Sequence, residues 1–196
     1  MGNSGRRWLC LDFANTAAGD YRDLVTWARQ VGLLSSAQAR ALAARARRQP
    51  AAAALASRQA GRLREALYAV VAAIAARRPA RAPDLQALNA GIGGALVRSR
   101  LAPRRGGFGW ERIGDRQALD QMLWPVARSA AEVLTSADLD AVRQCAATDC
   151  GRLFLDASRN QSRRWCAMAA CGNREKGRRY YARRRSTRAR SAGGKS

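Results

Sequence analysis

Apolar positions recur at helical steps through most of this chain. Leu24, Trp27, Ala28 and Val31 follow Asp20 at a 3.6-residue period, and Gly32 closes the pattern. That predicts a helix capped by Asp20. Ser35 or Ser36 caps the next, over about Ala37 to Arg48, written in alanine and arginine. Pro50 suits the first turn of a third helix. Its stripe of Leu63, Leu67, Val70, Val71 and Ile74 is the clearest core face in the chain. The segment from Arg77 to Pro83 reads as a linker. Pro83 and Asp84 open a fourth helix with Leu85, Leu88, Ile92 and Leu96 on one side, weakened by Gly91, Gly93 and Gly94.

Other segments are less regular. Trp8 to Phe13 is a short apolar run, read as a strand or a buried lead-in turn. Pro103 to Gly109 reads as a turn, with Phe108, Gly109, Trp110 and Ile113 in a small hairpin. Asp115 is placed to cap a long helix carrying Leu119, Met122, Leu123, Val126, Val133 and Leu134, kinked by Pro125. Ser136 starts a short helix leading to Cys145. The longest nearly apolar run, Ala66 to Ala76, is too short for a membrane span, which needs about 20 residues. The first residues, Met1 to Arg6, lack the apolar stretch of a secretion signal. The expectation is a cytoplasmic protein, where thiols stay reduced.

Charge changes the picture. The chain has 36 basic and 14 acidic residues, net +22, and all the basic residues except Lys176 and Lys195 are arginine. From Ala141 onward, 15 basic residues face three acids, a net +12 in the last 56 residues. Such a field attracts polyanions. There is no histidine, so the commonest acid–base residue and the commonest neutral metal ligand are both missing.

Four of the five cysteines fall together as C-x4-C-x15-C-x4-C: Cys145, Cys150, Cys166 and Cys171. Two closely spaced thiolate pairs separated by a loop can close a tetrahedral shell around Zn²⁺. Four thiolates leave no open coordination position, so one structural zinc is expected rather than a catalytic one. Gly151 and Gly172 follow the second and fourth ligands, where the backbone must turn to aim amide N–H groups at sulfur. Two disulfides, disfavoured in a reducing compartment, or four unrelated buried cysteines, disfavoured by the even spacing, are the competing arrangements. Cys10 stands apart and reads as a core residue.

Between the pairs, Leu153, Phe154 and Leu155 look like a short strand, and Asp156 or Ser158 caps a turn. Arg159, Arg163 and Arg164 precede the third ligand, beside Trp165. Beyond the fourth, Arg174, Arg178, Tyr181 and Arg185 share one helical face, and Lys176, Arg179 and Arg183 another. Apart from Tyr180 and Tyr181 this helix has no apolar side, and its like charges repel. Phosphate contacts relieve that repulsion, and arginine can read guanine in the major groove. A solvated, sequence-blind basic tail is the alternative.

The fold class is therefore mainly α. A helical domain over residues 1–140 with a small β-hairpin precedes a four-cysteine zinc-finger module over 141–190. The stretch after Arg185 reads as disordered, with 191–196 left as a tail.

The run from Cys145 through Leu153-Phe154-Leu155-Asp156, Ser158-Arg159-Asn160, Arg163-Arg164-Trp165-Cys166 and Met168 to Cys171-Gly172-Asn173-Arg174 resembles the CGNR zinc finger. The N-terminal part is similar to the ABATE domain, through Leu9, Leu11-Asp12-Phe13, Asn15-Thr16, Asp23-Leu24, Trp27, Leu63-Arg64-Glu65-Ala66 and Leu88-Asn89. The resemblance implies a bacterial, stress-linked transcription regulator, in which the finger binds double-stranded DNA and the helical domain senses a signal. Asp12, Asn15, Thr16, Arg64 and Asn89 are candidates to line a small-molecule effector pocket, against a structural role in capping and ion pairing. An RNA-binding zinc module, or a ligand-binding helical domain with the finger as a docking element, are the alternatives. No enzyme motif is present, although a carboxylate mechanism at Asp12 stays open. A homodimer would suit a palindromic site.

Overall fold

The computed structural model describes residues 8–192 except 18 and 116. The chain divides into two units, Met1–Asp140 and Ala141–Ser196.

The first unit is a set of packed helices. The run at Trp8–Phe13 is helical: α1 is Leu9–Ala14. Leu9, Cys10, Leu11, Phe13 and Ala14 are buried and only Asp12 of the six is exposed. Helix α2, Tyr21–Gln30, starts at Asp20, whose carboxylate accepts from the Asp23 amide at 2.8 Å. Helix α3, Ser36–Arg48, starts at Ser35 with a reciprocal capping box to Gln38, which satisfies two otherwise orphaned donors. Helix α4, Pro50–Ala75, carries proline in its first turn and buries Leu63, Leu67, Val70 and Val71.

Helix α5 is Ala82–Val97. Its buried face is Leu88 and Ala95, while Leu85 and Leu96 are exposed. Gly91 lies between those two on the α4 side. A Cβ there would lie 2.9 Å from Leu63 Cδ1, so glycine lets the two helices approach and explains why the helix keeps a residue that weakens it. The hairpin pairs β1, Ser99–Arg104, with β2, Gly107–Arg112. Only Arg105 and Gly106 join the strands, a tighter turn than Pro103 to Gly109. Gly106 has φ +84° and Gly107 φ +149°, backbone that side chains resist.

The long helix expected from Asp115 is shorter. Helix α6 is Leu123–Leu134, and Leu119 and Met122 are buried ahead of it in turns. Pro125 falls in the first turn, where no helical donor is needed, so it starts the helix instead of kinking it. Asp115 instead accepts from the Gln117 amide at 2.7 Å and pairs with Arg45 at 2.7 Å. Phe13, Leu24, Leu67, Leu88, Met122, Val126 and Val133 are fully buried. Phe13 also packs on Trp27 with ring centroids 4.9 Å apart.

The second unit has little regular structure until its last helix. A 3₁₀ turn, Ala137–Ala141, follows Ser136 and leads into it. Strand β3, Val142–Gln144, pairs antiparallel with β4, Leu153–Leu155. A wide π-type turn, Met168–Gly172, feeds helix α7, Asn173–Ala192. The helix thus continues past Arg185, where the composition had suggested disorder; residues 193–196 and the first seven lie outside the described residues. Among the described residues no helix is long and apolar enough to cross a membrane.

Candidate metal centre and its basic surroundings

The first two cysteines are set by the β3–β4 hairpin. The Cys145 amide donates to Arg152 O at 2.8 Å, extending the strand pairing, and the Cys150 amide donates to Ala147 O at 3.1 Å, closing a tight knuckle. Gly151 leaves that knuckle at φ +64°, the left-handed region that favours glycine. The other two come from the far side. The Ala146 amide donates to Arg164 O at 2.9 Å, tying the loop before Cys166 to the knuckle. The π-type turn then presents Cys171, whose amide donates to Ala167 O at 2.9 Å. Gly172 sits under the Met168 thioether and the Trp165 ring, so a Cβ there would make the Met168 side chain move aside.

The four sulfurs lie within 4.8 Å of one another. Cys150 to Cys166 and Cys166 to Cys171 are both 3.6 Å. A tetrahedron with Zn–S bonds of about 2.3 Å has edges of about 3.8 Å, so this donor set fits a Zn²⁺ ion. The backbone prepares it too. The Cys166 amide donates to Cys145 Sγ at 3.4 Å. Burial opposes ionisation of Cys145, but the amides of Ala147 and Cys166 and the thiols of Cys150 and Cys166 outweigh it and bring that thiol down to about 7. Burial and the neighbouring thiols push Cys166 up to about 12. Amides therefore do aim at sulfur, from Ala147 and Cys166. Ala147 and Phe154 pack against the four cysteines, with Trp165 beside them. The chain holds one structural zinc in this shell.

The basic residues divide into two sets. Three of them build the module. Arg174 and Arg178 pair with Asp149 at 2.9 and 2.7 Å, and Arg178 also pairs with Glu175 at 2.7 Å. Glu175 in turn accepts from the Thr148 amide at 3.3 Å. This network clamps the start of α7 to the first knuckle. Arg174 also donates to Cys171 Sγ at 3.5 Å, offsetting thiolate charge. Arg163 donates to the carbonyls of Trp165 and Cys166 and lies over the Phe154 ring.

The second set is Arg159, Arg164, Lys176, Arg179 and Arg183, exposed to solvent as the first set also is. Arg164 stacks on Trp165 at 5.6 Å. Buried Asp156 shapes the loop carrying Arg159, accepting from the Ser158 amide and hydroxyl and from the Arg163 amide. Those contacts, led by the Ser158 hydroxyl, hold its carboxyl below the usual carboxylate range.

In the helical unit, Asn15 Nδ2 donates to Leu11 O and Thr16 Oγ1 to Phe13 O, both at 2.8 Å. Asp12 and Asn89 are exposed, and Arg64 lies 3.8 Å from Glu65. A cavity of about 240 Å³ opens elsewhere, between α4, α5 and the start of α6. None of the five lines it. Its walls include Leu63, Gly91, Ala95 and Trp124, with Arg62 and Arg98 among the polar lining. Arg98 and Arg112 both lie over the Trp124 ring, at 5.3 and 5.6 Å. Cys10 is buried in the core, where burial pushes its thiol up to about 11; its amide donates to Ser129 Oγ at 3.2 Å.

Residues 141–184 match the CGNR zinc finger. Residues 8–137 match the ABATE family, described as "Putative stress-induced transcription regulator". No curated protein matches the chain.

Proposed function

Since the chain belongs to the ABATE family and ends in a CGNR zinc finger, we propose that it is a zinc-dependent transcription regulator that binds double-stranded DNA through that finger. The observation that carries the reading is the split among the basic residues. Asp149 and Glu175 pin Arg174 and Arg178 to the first knuckle, and Arg159, Arg164, Lys176, Arg179 and Arg183 are exposed in the same module. An exposed helix with so many like charges and no apolar side gains stability from phosphates rather than from a core. Its position is fixed by the metal and the Asp149 clamp, so its arginines are presented in a constant register, which base readout needs.

Responsiveness to stress or to a ligand would reside in the helical unit. Its cavity offers a small amphipathic molecule an indole wall and guanidinium groups. The reading includes no catalytic step.

Selection from fragmented genomic DNA tests it, with zinc-loaded protein beside a Cys166→Ser variant at near-physiological salt. Charge alone gives sequence-blind binding with Kd of order 10⁻⁴–10⁻⁶ M. The expected outcome is enrichment of fragments sharing a motif, lost in the variant. Even recovery across the genome overturns the regulator reading. Preferential capture of structured RNA in competition replaces it with the RNA-binding one, to which exposed Tyr180 and Tyr181 would contribute stacking.

A further inference from the structure

The β1–β2 ribbon wears its apolar face outward. In the register Leu101↔Trp110 and Pro103↔Phe108, these four residues share one face. Leu101 is 61% exposed, Phe108 75% and Trp110 41%. The opposite face carries buried Ala102 together with exposed Arg100 and Arg104. A two-stranded ribbon is marginally stable by itself, and an exposed row of large apolar side chains marks a contact surface.

The charge around that face says what it meets. Between residues 98 and 112 there are five arginines, Arg98, Arg100, Arg104, Arg105 and Arg112, and one acid, Glu111. Glu111 is taken by Arg100 at 3.0 Å. Arg98 and Arg112 lie over Trp124 at the base of the ribbon. Arg104 and Arg105 flank the tip and have no acidic partner among the described residues. Arg104 lies across Gly109, where a Cβ would come within 2.9 Å of its Cγ. Of the two turn residues only Arg105 carries a side chain, and with Gly107 beside Gly106 another backbone can come close.

A second copy of the chain fits poorly. The apolar face is about 20 Å long and two strands, about 10 Å, wide, on the order of 200 Å². A stable interface needs about 800 Å² from each partner, and a copy would bring the same arginines. A polyanion with apolar surface between its charges fits both features, and the major groove of B-DNA, about 12 Å wide, admits a two-stranded ribbon.

We propose that the β1–β2 ribbon is a second duplex-DNA contact in the helical unit, with Arg104 and Arg105 on backbone phosphates and the Leu101, Phe108 and Trp110 face against sugars and base edges. It deepens the DNA-binding reading and rests on it only as far as binding to duplex.

The test compares the full zinc-loaded chain with an Arg104→Ala, Arg105→Ala double variant and with Phe108→Ser. Affinity is measured across a salt series, both on an enriched genomic fragment and on an arbitrary duplex. Each lost phosphate contact removes about 0.9 from the slope of log K against log salt. The double variant should flatten the slope by up to about 2, and Phe108→Ser should weaken binding several-fold with the slope unchanged. Unchanged affinity and slope in both variants overturns the proposal. So does loss, in these variants, of binding to phosphatidylserine vesicles or of self-association while duplex binding holds. If the unaltered chain shows no sequence preference, the regulator reading falls, while the slope on arbitrary duplex still decides for or against the ribbon.

Discussion

In the helical unit Phe13, Leu24, Leu42, Leu67, Leu88, Met122, Val126 and Val133 are fully buried; among the described residues of the zinc module the fully buried large side chains are Leu153 and Val142. The first unit excludes water from an apolar interior, at roughly 25 cal/mol per Å² removed. The second, at 56 residues, is near the size where a core alone stops sufficing. It substitutes four thiolates and the Asp149–Arg174–Arg178 network. The same chain therefore carries one unit whose stability is set by packing and one set by metal and charge. Treatments that discriminate between those forces should separate the units.

The largest separation is expected on stripping zinc. Structural zinc contributes apparent folding free energies of about 10–16 kcal/mol in small fingers, as large as the whole net stability of a typical domain, about 5–15 kcal/mol. A tight chelator, or Cys166→Ser, should leave 141–192 open to proteolysis while the thermal transition of the helical unit is retained. Limited proteolysis followed by mass spectrometry reads both at once. Cleavage spread equally over the two units would break the comparison, since it would mean that the helical unit leans on the metal. Loading the four thiols also expels protons, so zinc affinity should fall as pH falls.

The converse experiment attacks the core. Leu67 is 0% exposed on the core face of α4. Leu67→Ala should cost about 2–5 kcal/mol from lost transfer energy and the remaining cavity, seen as a lower midpoint in urea for the helical unit. Zinc stoichiometry, counted by a colorimetric metal assay, should stay at one.

These contrasts were unequally legible in the sequence. Helices α2, α3 and α4 could be read because each advertises its start chemically, with Asp20, Ser35 and Pro50, and then holds a 3.6 period. The metal site could be read because cysteine spacing is nearly its whole definition. Helix α1 was ambiguous because six residues buried almost all round give no polar phase. The start of α6 was misplaced because apolar residues at helical spacing, Leu119 and Met122, continue into a stretch of turns. Most opaque was the division of labour among the arginines. Arg174 and Arg178 look like any others along α7. Their partner Asp149 is 25 and 29 residues away, brought near by the metal-held turn. The cavity beside Trp124 was equally hidden, since its lining is drawn from α4, α5 and the turn into α6.

A smaller effect tests packing against propensity. Gly91→Ala would gain about 1 kcal/mol of helix propensity but force a methyl to within 2.9 Å of Leu63 Cδ1. Leu63 is 5% exposed, and overpacking a filled site costs about 1–3 kcal/mol. The net expectation is a loss of about 1 kcal/mol, read as a small drop in the urea midpoint of the helical unit. A gain would mean that the α4–α5 contact yields easily, and that this unit is less tightly packed than the comparison assumes.

The smallest effect is expected at Asp156, a charge device inside the module. The Ser158 hydroxyl and amide and the Arg163 amide hold its carboxyl below the ordinary value. A carboxylate whose folded pKa is depressed stabilises the fold fully above its unfolded value of about 3.9, and that contribution is lost as pH falls through the lower folded value. The turn carrying Arg159 should therefore persist through mildly acidic pH and loosen only below about pH 4. Asp156→Asn keeps the shape and one acceptor but removes the charge, so it should lower module stability at neutral pH and flatten its dependence in the acid window. Amide exchange at Ser158 and Arg163, followed from pH 6 down to about 3, would show the difference. Zinc release contributes its own acid dependence, but that acts on all four cysteine segments together. Faster exchange confined to the loop after Leu155 therefore belongs to Asp156, and uniform acceleration across the module does not. If the variant exchanges like the unaltered chain throughout, metal alone holds this loop, and charge has no share in fixing where Arg159 is presented.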